Sequence, residues 1–600
     1  MFDVYRKVLA LLTSRERRKA YWLIVMIVVM ALFDVAGIIS IFPFLNVVSN
    51  PEVIETNNKL KWVYDRLGFA SQRDFMLALG GVSFALLVVS NGFRIITTRA
   101  LVRFSWMRQY TISRQLLTKY LTGPYSFFLN RNSSELTSYI IVGISQLASG
   151  MISPCMQLIA KVLLALLILS LLIVVNPILI VIMFLVVGGA YSVIYLLMRK
   201  KMSVVGMEIL DNSKKIQKTL NEAFGGIKDI KLLGKEHVFV TQYRVSAKKN
   251  VNCNTSKHVI THLPRYVIET IAFGGVFIAL LYLIATKNNF QQIIPTIGLY
   301  LLASYRLVPA LQQIYQEMVM IKSTCPILDA IYKDLTDCQT GNHSTNIHSS
   351  GIMQLKEYIE FCNVSFQYPE AKESVIRDFN LTIKLNTTIG FVGTTGSGKT
   401  TTVDILLGLL SPLQGALRVD GVEINRDNLR MWQRNIGYVP QHIYLSDDTV
   451  ARNIAFGVPD NEIDHETIMQ AARHANIHDF IVNELPNGYK TEVGERGVRL
   501  SGGQRQRIGI ARALYYNPSV LVLDEATSAL DGITEDTILG AIHSLAHKKT
   551  IIIIAHRLST VKECDIVYMM ERGRIVAQGT YQELIGANQQ FRDMAKDYTS

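Results

Sequence analysis

Lys399 and Thr400 close the stretch Gly393-Thr394-Thr395-Gly396-Ser397-Gly398-Lys399-Thr400, a loop of the form G-x-x-x-x-G-K-[ST]. Such a loop wraps consecutive backbone N–H groups round a phosphate chain, because glycine leaves no Cβ in the way. The lysine can bridge the terminal phosphates, and the Thr400 hydroxyl can ligand Mg²⁺. A second constellation lies just over a hundred residues on, where Leu500-Ser501-Gly502-Gly503-Gln504 leads into a basic helix with Arg505, Arg507 and Arg512. The apolar run Leu521-Val522-Leu523 then ends in Asp524-Glu525. A carboxylate at a strand's end can hold Mg²⁺ while its neighbour polarises a water, the division of labour that nucleotide hydrolysis needs. Gln441, in Gly437-Tyr438-Val439-Pro440-Gln441, can sense metal or water, and the Tyr368 ring offers adenine a surface to stack on.

These residues need elements to hold them. The pattern predicts a strand over Thr388–Val392 and a helix over Thr401–Leu410, so that the glycine loop opens at a helix N-terminus, where backbone N–H groups face an anion. Ile551–Ala555 reads as another buried strand, delivering His556 to the same edge as Asp524-Glu525, and Ser528-Ala529-Leu530-Asp531 follows the acidic pair. Singly, each is as well read as a core strand, a turn or a satisfied histidine. Their order along the chain is what carries the reading.

About 240 residues, Ile352 to roughly Gln590, resemble the ATP-binding domain of an ABC transporter. The resemblance implies ATP and Mg²⁺ as cofactors and gives each residue a role. Tyr368 becomes the adenine platform and Gly393–Thr400, with Thr401, the phosphate loop. Gln441 becomes a metal-sensing glutamine, and Ser501, Gly502, Gly503 and Gln504 the family signature. Asp524 becomes the metal carboxylate, Glu525 the catalytic base, Asp531 a D-loop residue and His556 the switch histidine. In this family each ATP lies between the phosphate loop of one domain and the signature of another. A single block therefore implies a second copy of the chain, most simply as a symmetric homodimer.

Length and composition place this block beside something different. Six hundred residues with 49% apolar content and positive mean hydropathy imply more than one domain and a membrane protein. The net charge of +13 does not mark a nucleic-acid binder, because the basic residues concentrate where membrane proteins carry cytoplasmic loops. Cys155, Cys253, Cys325, Cys338, Cys362 and Cys564 lack metal or disulfide spacing and read as free thiols. The first apolar run is too long for a cleavable signal peptide.

Six apolar segments can each span about 30 Å: Trp22–Val47, Phe75–Leu101, Gln157–Val175, Ile178–Met198, Tyr266–Ala285 and Ile293–Tyr315. The Asn176-Pro177 turn makes the middle pair a hairpin. Arg15, Arg17, Arg18 and Lys19 precede the first span, and Arg199, Lys200 and Lys201 follow the fourth. That bias puts both termini in the cytoplasm, with the protein multi-pass in the cell's inner (plasma) membrane. The fold expected is an α-helical six-span transmembrane domain (1–336), a polar linker (337–351) and an α/β P-loop ABC ATPase domain (352–600). A short amphipathic helix is expected in the first outer loop around Leu60–Leu67, and two long cytoplasmic connections read as helical arms, carrying Phe127–Glu135 and Gly225–Gly234. Such arms resemble those of the type I ABC exporter fold.

Charges within spans are costly and therefore candidates for function. Arg306 lies about 13 residues into the sixth span, roughly 20 Å deep. Arg94 lies toward the cytoplasmic end of the second span and Arg265 opens the fifth. Snorkelling explains Arg94 and Arg265 as well as function does, and Asp34 and Glu269 are competing ion-pair partners. If the arginines face a cavity, guanidinium suits a phosphate headgroup. Leu263-Pro264-Arg265-Tyr266 with Glu269, Tyr305-Arg306-Leu307-Val308-Pro309 and the short outer helix resemble the bacterial lipid-linked oligosaccharide flippases. That resemblance implies an anionic polyprenyl-pyrophosphate-linked glycan moved from inner to outer leaflet. The alternative is an exporter of another lipid, a drug or a peptide.

Overall fold

The structure is a computed structural model that describes residues 2–49, 51–69, 71–175, 177–286, 294–337, 351–369, 371–526, 532–555 and 557–596. It divides into two compact units, 1–123 with 127–343, and 344–600 with 124–126.

The first unit is helical. Among the described residues its six long helices are α1 (Ser14–Ser49), α2 (Gln72–Thr122), α3 (Ser153–Val175), α4 (Pro177–Gly225), α5 (Glu236–Thr286) and α6 (Ile294–Asp337). The 51 residues of α2 extend about 76 Å, far beyond a bilayer core of about 30 Å. The helix is thus far longer than the expected span Phe75–Leu101. Three helical stretches, Ser14–Val48, Gln72–Thr122 and Ser133–Ile173, are long and apolar enough to cross a membrane among the described residues. The other three expected spans fall partly on residues outside the described set: Asn176, Thr286–Ile293 in part, and the side chains of 174–187 and 272–304 in large part.

Local rules set the short elements. Helix Asn58–Leu67 sits in the first outer loop, where Asn57 accepts from the backbone N–H groups of Lys59 and Leu60 and Gly68 ends it at φ 66°. Polar turns split the first arm into helices Ser126–Leu129 and Ser133–Ser138, and Gly226 and Gly234 bracket Ile227–Leu233 in the second. Between the first arm and α3 the chain runs through two π-helical stretches, Tyr139–Gly143 and Ala148–Ile152. Glycine permits two close helix crossings there. A Cβ on Gly206 of α4 would meet the Ser323 carbonyl of α6, and one on Gly150 would meet the Thr324 hydroxyl.

The second unit is α/β. Strands β1 (Tyr358–Phe366), β2 (Ile376–Lys384), β4 (Gln414–Val419) and β5 (Val422–Glu423) form an antiparallel sheet ordered β2-β1-β4-β5. Strands β3 (Thr388–Val392), β6 (Ile436–Val439), β7 (Val520–Asp524), β8 (Thr550–Ile554), β9 (Ile566–Glu571) and β10 (Arg574–Gly579) form a second sheet ordered β10-β9-β3-β8-β7-β6. All of it but the β9–β10 pair is parallel. Strands β3, β7 and β8 are buried along their whole length, as an apolar run without alternation requires when both sheet faces are covered. Helix α7 runs over Lys399–Leu406, two residues earlier at its start and four shorter at its end than the expected Thr401–Leu410. Gly408, at φ 65° against Leu429, turns the chain out of the helix.

Candidate nucleotide site and membrane charge cluster

In a parallel sheet ligands gather at the carboxyl ends of the strands. The neighbours β3, β8, β7 and β6 end, in that order, in the glycine loop, in Ala555, in Asp524-Glu525 and in Pro440-Gln441. Register fixes the alignment, with Phe391 opposite Ile554, Asp524 opposite Ile554 and Val439 opposite Leu523. The sheet thus brings together residues that lie more than a hundred positions apart in sequence. His556 and Asp531 lie outside the described residues.

The glycine loop has the shape its composition demands. Gly393, Gly396 and Gly398 take φ values of 150°, 80° and 102°. A Cβ on Gly393 would strike the Met570 carbonyl of β9, and one on Gly398 would lie 2.8 Å from Ile376 Cδ1. Lys399 Nζ donates to the carbonyls of Gly393 (2.7 Å) and Thr394 (3.2 Å), folding back over the loop. Burial lowers its pKa, while Glu525 and Asp524 pull it the other way. The Ser397 hydroxyl is buried with no hydrogen-bond partner among the described residues. Thr394, Thr395 and Thr400 are exposed and Thr401 is buried, its hydroxyl 3.2 Å from that of Tyr368. Crowded glycines, an orphaned hydroxyl and a lysine at a helix N-terminus fit a polyphosphate.

Across the sheet edge, Glu525 adopts the left-handed region at φ 48° and donates its N–H to the Ile554 carbonyl at 3.0 Å. A non-glycine residue held there is strained, which is common where a side chain is aimed at a site. Gln441 Nε2 donates to Glu525 Oε2 at 2.5 Å. The Tyr438 hydroxyl donates to Asp524 Oδ2 at 3.3 Å, and burial pushes that phenol's pKa up. Asp404 on α7 has its carboxyl pushed up to about 6 by burial, with the charge of Asp524 adding to the shift.

Signature residues Ser501–Gln504 open helix α8 (Gly502–Leu514) in a capping box. Ser501 Oγ accepts from Gln504 N, and Gln504 Oε1 accepts from Ser501 N at 2.8 Å. This helix is fastened to the segment that follows Gln441. Arg512 donates to the Tyr444 and Asn453 carbonyls, each at 2.8 Å, and its guanidinium lies 4.7 Å from the Phe456 ring centre. Ile443 packs on Gly509, where a Cβ would come within 2.5 Å. Sequence reading gave Tyr438 and Asp404 no role and named Arg512 only as part of a basic helix. Tyr438 stands inside the quoted Gln441 motif, and the other two gain meaning only from neighbours far along the chain.

In the helical unit the three arginines do not converge. Arg94 of α2 pairs with Asp34 of α1 at 2.6 Å, and Arg306 of α6 reaches the same carboxylate at 3.8 Å. The Asp34 side chain is fully buried and also accepts from Ser90 Oγ at 2.6 Å. Arg265 is separate, paired along its own helix with Glu269 at 2.8 Å and more than half exposed. The ion-pair alternative therefore describes all three as they stand. The structure also adds Lys161 of α3, within electrostatic range of Arg94, Asp34 and Arg306. It is the one ionisable residue of the apolar run Gln157–Val175, and that isolation was a signal the reading of the arginines overlooked. Arg94 and Arg306 share the one carboxylate of Asp34, while Lys161 has both Asp34 and Glu317 within electrostatic range, so positive charge is left over at the arginines.

Comparison with known proteins places these features. A family model described as ABC transporter matches residues 376–528, and one described as ABC transporter transmembrane region matches residues 23–305. The ATP-dependent lipid A-core flippase of Methylobacillus flagellatus is 32% identical over 463 residues, covering 77% of each chain. That of Saccharophagus degradans is 30% identical over 477 residues, covering 79% of each. A solved bacterial Atm1-family ABC exporter with ATP bound superposes with a TM-score of 0.79 at 22% identity, over 97% of this chain and 98% of that one, a likeness of fold. With its transmembrane region and its ATP-hydrolysing unit in one chain, this membrane protein belongs to the ABC transporter family and couples ATP hydrolysis to transport.

Proposed function

We propose that the protein is a homodimeric flippase that moves an anionic glycolipid, of the polyprenyl-pyrophosphate-linked oligosaccharide class, from the inner to the outer leaflet of the inner (plasma) membrane. The observation that carries this reading is the excess of cationic charge at Arg94 and Arg306, which share the single carboxylate of Asp34. Unbalanced charge within a bilayer is costly, and an anionic headgroup would balance it. Guanidinium pairs well with phosphate, so Asp34 would hold the arginines until the headgroup competes for them. Relatives named as lipid A-core flippases support lipid as the cargo. Arg265, beside Glu269 at the start of the fifth span, would meet the headgroup nearer the surface.

In the ATPase unit (352–600, joined to the transmembrane domain 1–336 by a linker at 337–351), Glu525 is the base that takes the proton of the attacking water. Gln441, hydrogen-bonded to it, reports the state of the site. Tyr368 carries the adenine, and Gly393–Thr401 hold the phosphates. Ser501–Gln504 and Asp531 complete the partner copy's site, and His556 steadies the terminal phosphate. Thr400, Asp524 and Gln441 are oxygen donors suited to Mg²⁺, which supplies neutralisation of phosphate charge when bound. Both termini and the ATPase unit are cytoplasmic, and closure of the paired ATPase units drives the spans between inward-facing and outward-facing states.

Proteoliposomes containing a fluorescent polyprenyl-diphosphate-linked glycan test the reading. ATP-dependent loss of the inner-facing pool is expected for the wild type, and Arg306→Ala is expected to lower its rate at least about tenfold, the loss of one charge-assisted hydrogen bond. Movement of a lipid A-core substrate or an uncharged drug, with none of the diphosphate lipid, would refute the assigned cargo.

A further inference from the structure

A second polar site lies apart from the Asp34 cluster. A cavity of about 340 Å³ opens between α3, α5 and α6, lined by Gln157, Lys257, His258, His262, Gln316 and Glu317 among others. Its volume lies at the small end of the range for ligand sites, about 300–1,000 Å³. A smaller cavity sharing Ser149, Asn254, Lys257 and Met320 continues it toward Gly150 and Gly206.

Depth along the helices is consistent on all three sides. Gln157 begins the third expected span, and Gln316 and Glu317 immediately follow the sixth, which ends at Tyr315. His262 and Lys257 precede the fifth span by about 6 Å and about 13 Å at 1.5 Å per residue. The cavity therefore sits at the level of lipid headgroups, at the ends of the helices that continue into the arms.

The lining is rich in donors and carries one ammonium, Lys257, and one carboxylate, Glu317. Glu317 has Lys161 within electrostatic range as its counter-charge. Lys257 has no carboxylate within ion-pair distance among the described residues, and burial alone lowers its pKa. The rings of His258 and His262 stack in parallel, 6.4 Å apart and one helical turn along α5, and His262 Nδ1 lies 3.3 Å from Gln316 Nε2. An unpaired, partly desolvated ammonium beside two imidazoles and two amides is a poor structural element. It is a good receptor for a phosphate oxyanion, which would restore the lysine's lost solvation.

We propose that this cavity is a phosphate subsite, which takes the diphosphate of a lipid headgroup at the membrane surface before the headgroup reaches the Asp34 cluster. The proposal rests on the glycolipid reading above for the source of the phosphate, and on the cavity's own chemistry for the site. Lys257 and the two histidines grip the oxyanion, and Gln157 and Gln316 orient it. The wall of Pro154 and Met320 admits the first part of the chain.

Acylation of Lys257 in the full-length protein in nanodiscs, followed by mass spectrometry, reads occupancy directly. Exposed Lys215 serves as the internal control. Polyprenyl diphosphate is expected to slow labelling of Lys257 at least about tenfold and to leave Lys215 unaffected, while the same polyprenol without phosphate does neither. Equal labelling with and without the diphosphate lipid would overturn the site. Equal protection by inorganic pyrophosphate at the same concentration would overturn the lipid as its source. Lys257→Gln is expected to raise the half-maximal concentration of polyprenyl diphosphate that stimulates ATPase several-fold and Lys257→Arg to recover it; an unchanged concentration in Lys257→Gln also overturns the proposal. Protection of Lys257 without ATP-driven movement in proteoliposomes would refute the flippase reading alone and leave the subsite supported.

Discussion

At the scale of single residues, geometry at the sheet edge separates roles that the sequence assigns only by order. Gln441 hydrogen-bonds Glu525, and Tyr438 hydrogen-bonds Asp524, so each of two adjacent carboxylates has its own positioning partner. Glu525→Gln keeps the shape and removes the base. ATPase turnover is expected to fall by about 10²–10⁴-fold with ATP binding retained, measured by steady-state hydrolysis and nucleotide trapping. Retained turnover would remove Glu525 from that role. Asp404 makes a different prediction. Its folded-state pKa, about 6, exceeds the ordinary 3.8, so the folded protein binds the proton more tightly than the unfolded chain does. That contribution to stability is complete below the ordinary value and is lost as pH rises through about 6. Asp404→Asn should therefore raise the melting temperature of the ATPase unit relative to wild type more at pH about 8 than at pH about 5. An equal shift at both would show that the carboxyl does not titrate there.

At the scale of elements, close approach matters more than composition. Helices α4 and α6 cross at Gly206 and Ser323 so tightly that a methyl group would meet backbone, which cannot swing aside as a side chain can. Gly206→Ala is expected to cost about 1–3 kcal/mol, read as a lower unfolding temperature of the helical unit in detergent, and the same change at the open position Gly189 should cost little. Helix α8 shows the complementary device. Its Arg512 donates to the backbone at Tyr444 and Asn453, which fastens the loop after Gln441 to this helix.

At the scale of the whole molecule, one chain holds one phosphate loop and one signature. The proposed homodimer would build two composite sites, each from the loop of one copy and the signature of the other. Lys399→Ala and Gly502→Asp chains should each be inactive alone. Co-expressed, they assemble dimers in which one site carries both changes and the other carries none. ATPase activity is expected to reappear in the mixture, to roughly half or less of the wild-type level given random pairing. No recovery would argue that a site is completed within one chain.

The glycine loop, the strands β3, β7 and β8, the outer helix and the short helices of the two long connections were all legible in the sequence, because each is set by local rules. Glycine is needed where φ is positive, a contiguous apolar run is needed where both sheet faces are covered, and Asn57 and Gly68 punctuate a helix on their own. The reach of α7 was not legible, because the turn at Gly408 depends on Leu429 beyond it. Asp34 was named as a partner for the arginines, but that Arg94 and Arg306 share it was not legible, nor was the part played by Lys161. Asp34 lies 60 residues from Arg94 and Tyr438 lies 86 from Asp524, and no periodicity encodes such meetings. What the sequence determined by itself was the chemistry available: a phosphate loop, an acidic pair, and charges placed in apolar helices. Only the tertiary structure decided which charges neutralise one another and which are left over. Coulomb energy depends on distance in space, and that distance is fixed by packing between elements remote along the chain.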